Sequence, residues 1–129
     1  MLALFATLLE PGDEIIHPQP CYPAYPAMAR RLGARPVAVT ERDGDFSGWA
    51  ENVARHISPS TRAVVLASPS NPTGAKLSQE GFSKVMGKAR ELGIFVMSDE
   101  VYHNFIFDGC HESALQFNTL DNLIVINSF

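Results

Sequence analysis

Three polar side chains stand where apolar stretches of this chain stop: Asn71, between two prolines in Ser68–Ala75 (SPSNPTGA), and Asp99 and Tyr102, three residues apart in SDEVY. Tyr22 adds a phenol in the proline-rich run PCYPAY. An amide, a carboxylate and two phenols can bind a polar ligand, and each also has a plainer use. A lone Asp after a strand caps the next turn, an Asn in a turn bonds its own backbone, and a Tyr packs in a core with its hydroxyl wet. The surroundings of Asn71 favour binding. Proline lacks a backbone donor and disfavours helix at the residue before it, so Pro69 and Pro72 end the apolar run Ala63–Ala67 and hold the loop still. Gly74 then allows backbone angles or close approaches denied to other residues, and Ser78 supplies a helix start. A strand, a stiff loop with one amide and then a helix is the layout of a binding loop at the end of a parallel sheet.

The elements that must position these residues alternate along the chain. Leu2–Leu9 suits the end of a helix closed by Pro11 and Gly12, and Glu14–His17 a short strand. Ala27–Leu32 reads as a helix capped by Gly33, and Arg35–Thr40 as a strand. Asp43–Gly48 reads as a turn, Trp49–Ile57 as an amphipathic helix and Ala63–Ala67 as a strand. Ser78–Leu92 is the longest helix, ended by Gly93; Ile94–Ser98 is a strand, and NLIVINSF at the end of the chain reads as another, buried one. Strands apolar on both sides of the pleat and separated by helices predict an α/β fold, a three-layer sandwich with a mostly parallel sheet. Right-handed crossovers put all strand C-termini on one edge, where ligands bind. The segments just past the strands are therefore the ones to read: His17–Tyr25, Ser68–Gly74, Ser98–Tyr102 and Asn127–Phe129.

Composition narrows the classes of function. The chain has 129 residues, 46% of them hydrophobic, which suits one packed domain. A formal net charge of −4 offers no field for a phosphate backbone, so nucleic acid is not an expected partner. No apolar run reaches the roughly 18 residues of a membrane helix. Cys21 and Cys110 form no CxxC pattern, no leader peptide is evident, and the predicted location is the cytoplasm. His103, Cys110 and His111 match no usual zinc spacing, and the DGD of Asp43–Asp45 lacks the rest of a calcium loop, so no metal is expected. Arg30, Arg31 and Arg35 read as a solvated basic face.

Taken in order, PGDE, PCYPAY, SPSNPTGA, SDEVYHNFIFDG and NLIVINSF resemble the large domain of the class I/II aminotransferases, pyridoxal-phosphate enzymes of the aspartate aminotransferase fold, fold type I. The resemblance runs nearly end to end. It implies that Asp99 is the carboxylate that keeps the cofactor's pyridine nitrogen protonated, the condition for the ring to act as an electron sink. It implies further that Asn71 and Tyr102 bond the cofactor's phenolic oxygen and that Tyr22 stacks on the ring, with Tyr25 the alternative if the loop is indexed differently. Cis peptides are implied at Gln19–Pro20 and Asn71–Pro72.

The family also needs a lysine that binds the cofactor as a Schiff base and shuttles a proton. The lysines here are Lys76, Lys84 and Lys88, none at the family's position, and in relatives the phrase begun by INSF continues with Ser-Lys. Residues 1–129 are accordingly expected to be part of a large domain, without its remainder or the small domain, and to be inactive alone, with weak or no hold on pyridoxal phosphate. The parent is expected to be a homodimeric aminotransferase acting on amino acids and 2-oxo acids. Two alternatives share the fold: a carbon–sulfur β-lyase, and the effector domain of an aminotransferase-like transcription regulator.

Overall fold

The computed structural model describes residues 1–40, 46–107, 109–110, 112–117 and 121–128. The DGD stretch Asp43–Asp45, which opens the turn expected over Asp43–Gly48, and with it His111 and Phe129, lie outside the described residues, while residues 46–48 of that expected turn are helical. Helices α1 (Leu2–Leu8), α2 (Ala24–Arg31), α3 (Phe46–His56) and α4 (Gln79–Leu92) alternate with strands β1 (Glu14–Gln19), β2 (Arg35–Thr40), β3 (Thr61–Ala67), β4 (Phe95–Asp99) and β5 (Leu123–Ile126). A short 3-10 helix, Ala114–Phe117, precedes β5. The five strands form one sheet in the order β2-β1-β3-β4-β5, and each pairing is parallel.

Apolar residues at successive positions feed both faces of this sheet. Ile16, Val64, Leu66 and Val96 pack with Trp49 and Val53 of α3 and Phe82 and Val85 of α4. Ile15, Val65, Ala67 and Met97 pack with Phe5 of α1 and Tyr25 and Ala29 of α2. A strand with its odd positions in one core and its even positions in the other has to be apolar throughout, which is the pattern of Ala63–Ala67. Three layers result, as the sequence predicted. Trp49 is completely buried and its indole N–H donates to the Val39 carbonyl at 2.9 Å, tying α3 to β2.

Most boundaries agree with local chemistry. Ser78 caps α4, its hydroxyl accepting from the Gly81 N–H at 3.1 Å, and Gly93 closes the helix at φ 66°, an angle costly for residues with a Cβ. Gly33 has φ 78° and lies against Pro11, where an added Cβ would stand 3.2 Å from the proline Cβ.

Several boundaries differ, among them those of β1, α2 and α3. β1 continues through Pro18 to Gln19, where a stop at His17 was expected. Its Glu14 N–H points towards β3, bonding Ser60 O, so by alternation the missing donor of Pro18 also faces the β3 side, where pairing has ended at Ile16. α2 begins at Ala24, because Pro26 falls in the first turn, where a backbone donor has no helical partner. α3 begins at Phe46, taking in Gly48, since burial of Trp49, Ala50 and Val53 outweighs one helical glycine. β5, expected to be buried, is half-buried along its length because it lies at the sheet's edge.

Candidate functional site

The parallel arrangement brings the ends of β1, β3 and β4 to one edge of the sheet, and there the four predicted residues meet. Tyr22, Asn71, Asp99 and Tyr102 all line a single cleft of about 700 Å³, together with Tyr25 and Val101.

Asp99, the last residue of β4, is buried and pairs in register with Ala67 of β3 and Ile126 of β5. Its two carboxylate oxygens do different things. Oδ2 accepts the Tyr25 hydroxyl at 2.6 Å, and Oδ1 lies 3.4 Å from the Val101 N–H of the following turn. The turn-capping use of an aspartate is thus met by one oxygen, while the carboxylate still lines the cleft.

Asn71 is held by a loop bonded to itself and to its neighbours. The Ser70 N–H donates to Ala75 O at 2.9 Å and the Gly74 N–H to Ser70 O at 2.7 Å. The Ser68 N–H reaches Asp99 O at 3.1 Å, and the Ser68 hydroxyl accepts from the Leu77 N–H at 3.0 Å. The expected cis peptides at Gln19–Pro20 and Asn71–Pro72 are present, with a third at Ser68–Pro69. From this loop the Asn71 amide donates to the Tyr102 hydroxyl at 3.3 Å. An amide and a phenol that touch across two strand ends can converge on one acceptor atom between them.

Tyr22, in the loop after β1, and Tyr25, in the first turn of α2, separate by environment. Tyr22 is 46% exposed, its ring at the cleft, whereas Tyr25 is buried. Their rings meet edge to face at 5.6 Å between centroids, so Tyr25 braces Tyr22 from below. Burial, reinforced by the Asp99 carboxylate, pushes the Tyr25 phenol well above the usual tyrosine range and keeps it a donor. Sequence reading weighed Tyr25 only as a substitute for Tyr22; the spacing of three residues is the signal, since it places both on one side of a helical start. Val101 and Glu100 were missed. Val101 looks like any strand-end valine, and Glu100 like any solvated acid.

Behind the loop, buried His17 has its Nδ1 2.8 Å from Pro18 O and 3.3 Å from the Cys21 sulfur. Burial lowers its pKa, opposed by the Pro18 carbonyl and aided by the positive charge of Arg30. Burial likewise pushes the Cys21 thiol up, away from a reactive thiolate.

The profile of the family described as Aminotransferase class I and II matches residues 1–129. The chain belongs to this family. It is 39% identical over 125 residues to the probable N-acetyl-LL-diaminopimelate aminotransferase of Bacillus subtilis (strain 168), covering 97% of this chain and 32% of that protein. It is 36% identical over 127 residues to the aspartate aminotransferase of Pyrococcus horikoshii, covering 97% and 32%. Among solved structures, a tetra mutant of Thermus thermophilus aspartate aminotransferase superposes with a TM-score of 0.90 at 32% identity, over 98% of this chain and 35% of that one. The N-succinyldiaminopimelate aminotransferase of Mycobacterium tuberculosis gives 0.90 at 32% identity, over 98% and 34%. The chain spans about a third of the length of the curated relatives it matches. Class I and II aminotransferases use pyridoxal phosphate and act on amino and oxo acids, and the donor set at this cleft suits such a group: a carboxylate in the wall, an amide and a phenol able to share one oxygen, and an exposed aromatic face.

Proposed function

We propose that the protein carrying these residues is an aminotransferase that moves an α-amino group between an amino acid and a 2-oxo acid, and that this chain supplies the part of its pocket that grips the ring of pyridoxal phosphate. The convergence of Tyr22, Asn71, Asp99 and Tyr102 on one cleft carries the reading. When bound, the cofactor supplies an electron sink for charge developing at the amino acid's Cα.

The chain's own groups prepare for that. Asp99 holds a proton on the pyridine nitrogen, and Tyr25 keeps the Asp99 carboxylate aimed by occupying Oδ2. Asn71 and Tyr102 donate to the phenolic oxygen, and the stiff loop presents Asn71 without an ordering cost on binding. The Tyr22 ring covers one face and excludes water from it.

None of Lys76, Lys84 and Lys88 lines the cleft; Lys84 pairs with Glu51 and Glu80, and Lys88 with Glu91. This supports the proposal that none of the three is the Schiff-base lysine, and that the 129-residue polypeptide alone binds pyridoxal phosphate weakly or not at all and does not transaminate. We take residues 1–129 as part of the large domain, and the parent as a cytoplasmic homodimer; free Cys21 and Cys110 suit a reducing compartment.

The test is amino transfer by the protein carrying this segment, assayed with a panel of amino acids and 2-oxo acids. Transfer that collapses on Asp99→Ala supports the reading. Release of ammonia and a 2-oxo acid from sulfur amino acids without transfer would assign a β-lyase instead, and sequence-specific DNA binding without turnover a regulator. The relatives quoted above are all named as aminotransferases and favour neither alternative.

A further inference from the structure

One buried acid beside the cleft wall, outside its lining, has no part in the scheme above. Glu100 follows Asp99, and alternation along the strand end turns its side chain to the opposite face. It is 3% exposed. Its Oε1 accepts the Ser98 hydroxyl at 2.9 Å and the Ala114 N–H at 2.8 Å, the latter at the start of the 3-10 helix. Its backbone is committed as well: the N–H donates to Ile126 O at 2.8 Å, and the carbonyl accepts the His103 N–H at 2.9 Å and lies 3.0 Å from His103 Nδ1.

These bonds share a geometric consequence. Residues 101–107 leave the sheet immediately after Glu100, and its carboxylate bonds the chain again at Ala114. The first part of this excursion is two successive turns, closed by His103 N–H to Glu100 O and by Phe105 N–H to Tyr102 O at 2.8 Å. They carry Val101, Tyr102 and Phe105 to the cleft, with the Tyr102 and Phe105 rings edge to face at 6.2 Å. Both rings are substantially exposed, so packing alone does not hold them. A buried acid bonded at the two ends of the excursion can hold it, and leaving such donors unmet inside the protein is costly.

We infer that Glu100 is a positioning residue: its carboxyl latches Ala114 to the end of β4 and so keeps the Tyr102 hydroxyl within reach of the Asn71 amide. The inference rests on the reading of the cleft as a pyridoxal-phosphate pocket for its purpose, though not for its geometry.

The experiment compares Glu100→Ala, Glu100→Gln, Ser98→Ala and Tyr102→Phe in the full chain by NMR, reading amide exchange at Ala114 and the side-chain amide signals of Asn71. In Glu100→Ala, Ala114 should exchange at least about tenfold faster, the loss expected for a bond to a charged acceptor. The Asn71 signals should move towards their positions in Tyr102→Phe. Glu100→Gln keeps the accepting oxygen and should leave the Asn71 signals in place, while β3 amides should lose no more protection than the fall in global stability measured by urea unfolding. If Glu100→Ala does not fold, Ser98→Ala removes one donor from the latch and should give a partial shift of the same sign. Unmoved Asn71 signals in Glu100→Ala, or in Ser98→Ala where that variant stands in for it, overturn the inference. So does Glu100→Gln behaving like Glu100→Ala. Pyridoxal phosphate titrated into the protein carrying this segment and into its Tyr102→Phe variant separates the two readings: equal binding defeats the cofactor assignment, while the latch is still decided by the amide signals.

Discussion

The Tyr25 hydroxyl donates to the Asp99 carboxylate at 2.6 Å, joining residues 74 positions apart inside the wall of the cleft. The bond uses one oxygen of Asp99 and buries one phenol, so it couples the strength of the fold to the aim of the carboxylate.

Tyr25→Phe should destabilise the protein by about 1–3 kcal/mol, since a buried acceptor loses its donor. Urea unfolding monitored by circular dichroism measures it. The pH dependence has a definite sign. The phenol's pKa is raised in the folded state, by burial first and by Asp99 second, so its contribution is complete below the unfolded value of about 10 and falls as pH rises beyond it. Wild type should lose stability above pH ~10 more steeply than Tyr25→Phe. Parallel curves would show that Tyr25 does not titrate differently on folding.

His17 acts in the opposite pH range. Its pKa is lowered in the folded state, chiefly by burial, so the unfolded chain binds the proton more readily and stability declines as pH falls from about 6.5 through the folded value. Melting temperatures recorded at intervals between pH ~7 and ~5 should drop, and the drop should shrink in His17→Gln.

Asn71→Ala and Tyr102→Phe remove groups at the open side of the cleft. Each should change unfolding stability by no more than about 0.5 kcal/mol, because neither side chain is buried. Each should nonetheless weaken pyridoxal phosphate binding by the protein carrying this segment about three- to tenfold, the worth of one ordinary hydrogen bond. Equilibrium dialysis gives the affinity and urea melts give the stability; a variant that loses both equally is a folding mutant.

Trp49 is the one tryptophan and is fully buried between α3 and the sheet. Trp49→Ala should cost about 3–5 kcal/mol through the cavity it leaves. Trp49→Phe should cost less, mostly by leaving the Val39 carbonyl without its indole donor. In wild type, the fluorescence of Trp49 should follow global unfolding and coincide with the circular dichroism transition.

Much of this was legible along the chain because it depends on neighbours in sequence. Ser78 and Gly93 bound α4 through bonds within one turn, and the unbroken apolar run to Ala67 already implied a strand covered on both faces. Asn71, Asp99 and Tyr102 stood out by their place just past such strands. The boundaries that shifted did so for reasons of context: Pro18 is tolerated in β1 because its bare nitrogen faces a gap in the pairing, and Gly48 is helical because Trp49 beside it is buried.

What the chain alone determined is therefore periodicity and punctuation, which follow from backbone sterics and from which side chains shun water. Partnership was decided only in three dimensions. Nothing local distinguishes Tyr25 from Tyr22, yet crossing to β4 buries one against Asp99 and leaves the other open to the cleft. Nothing local marks Glu100 either, until the return of the chain at Ala114 gives its carboxyl a donor. A hydrogen bond is set by the distance between atoms, and for residues far apart in sequence that distance exists only once the sheet has aligned its strands.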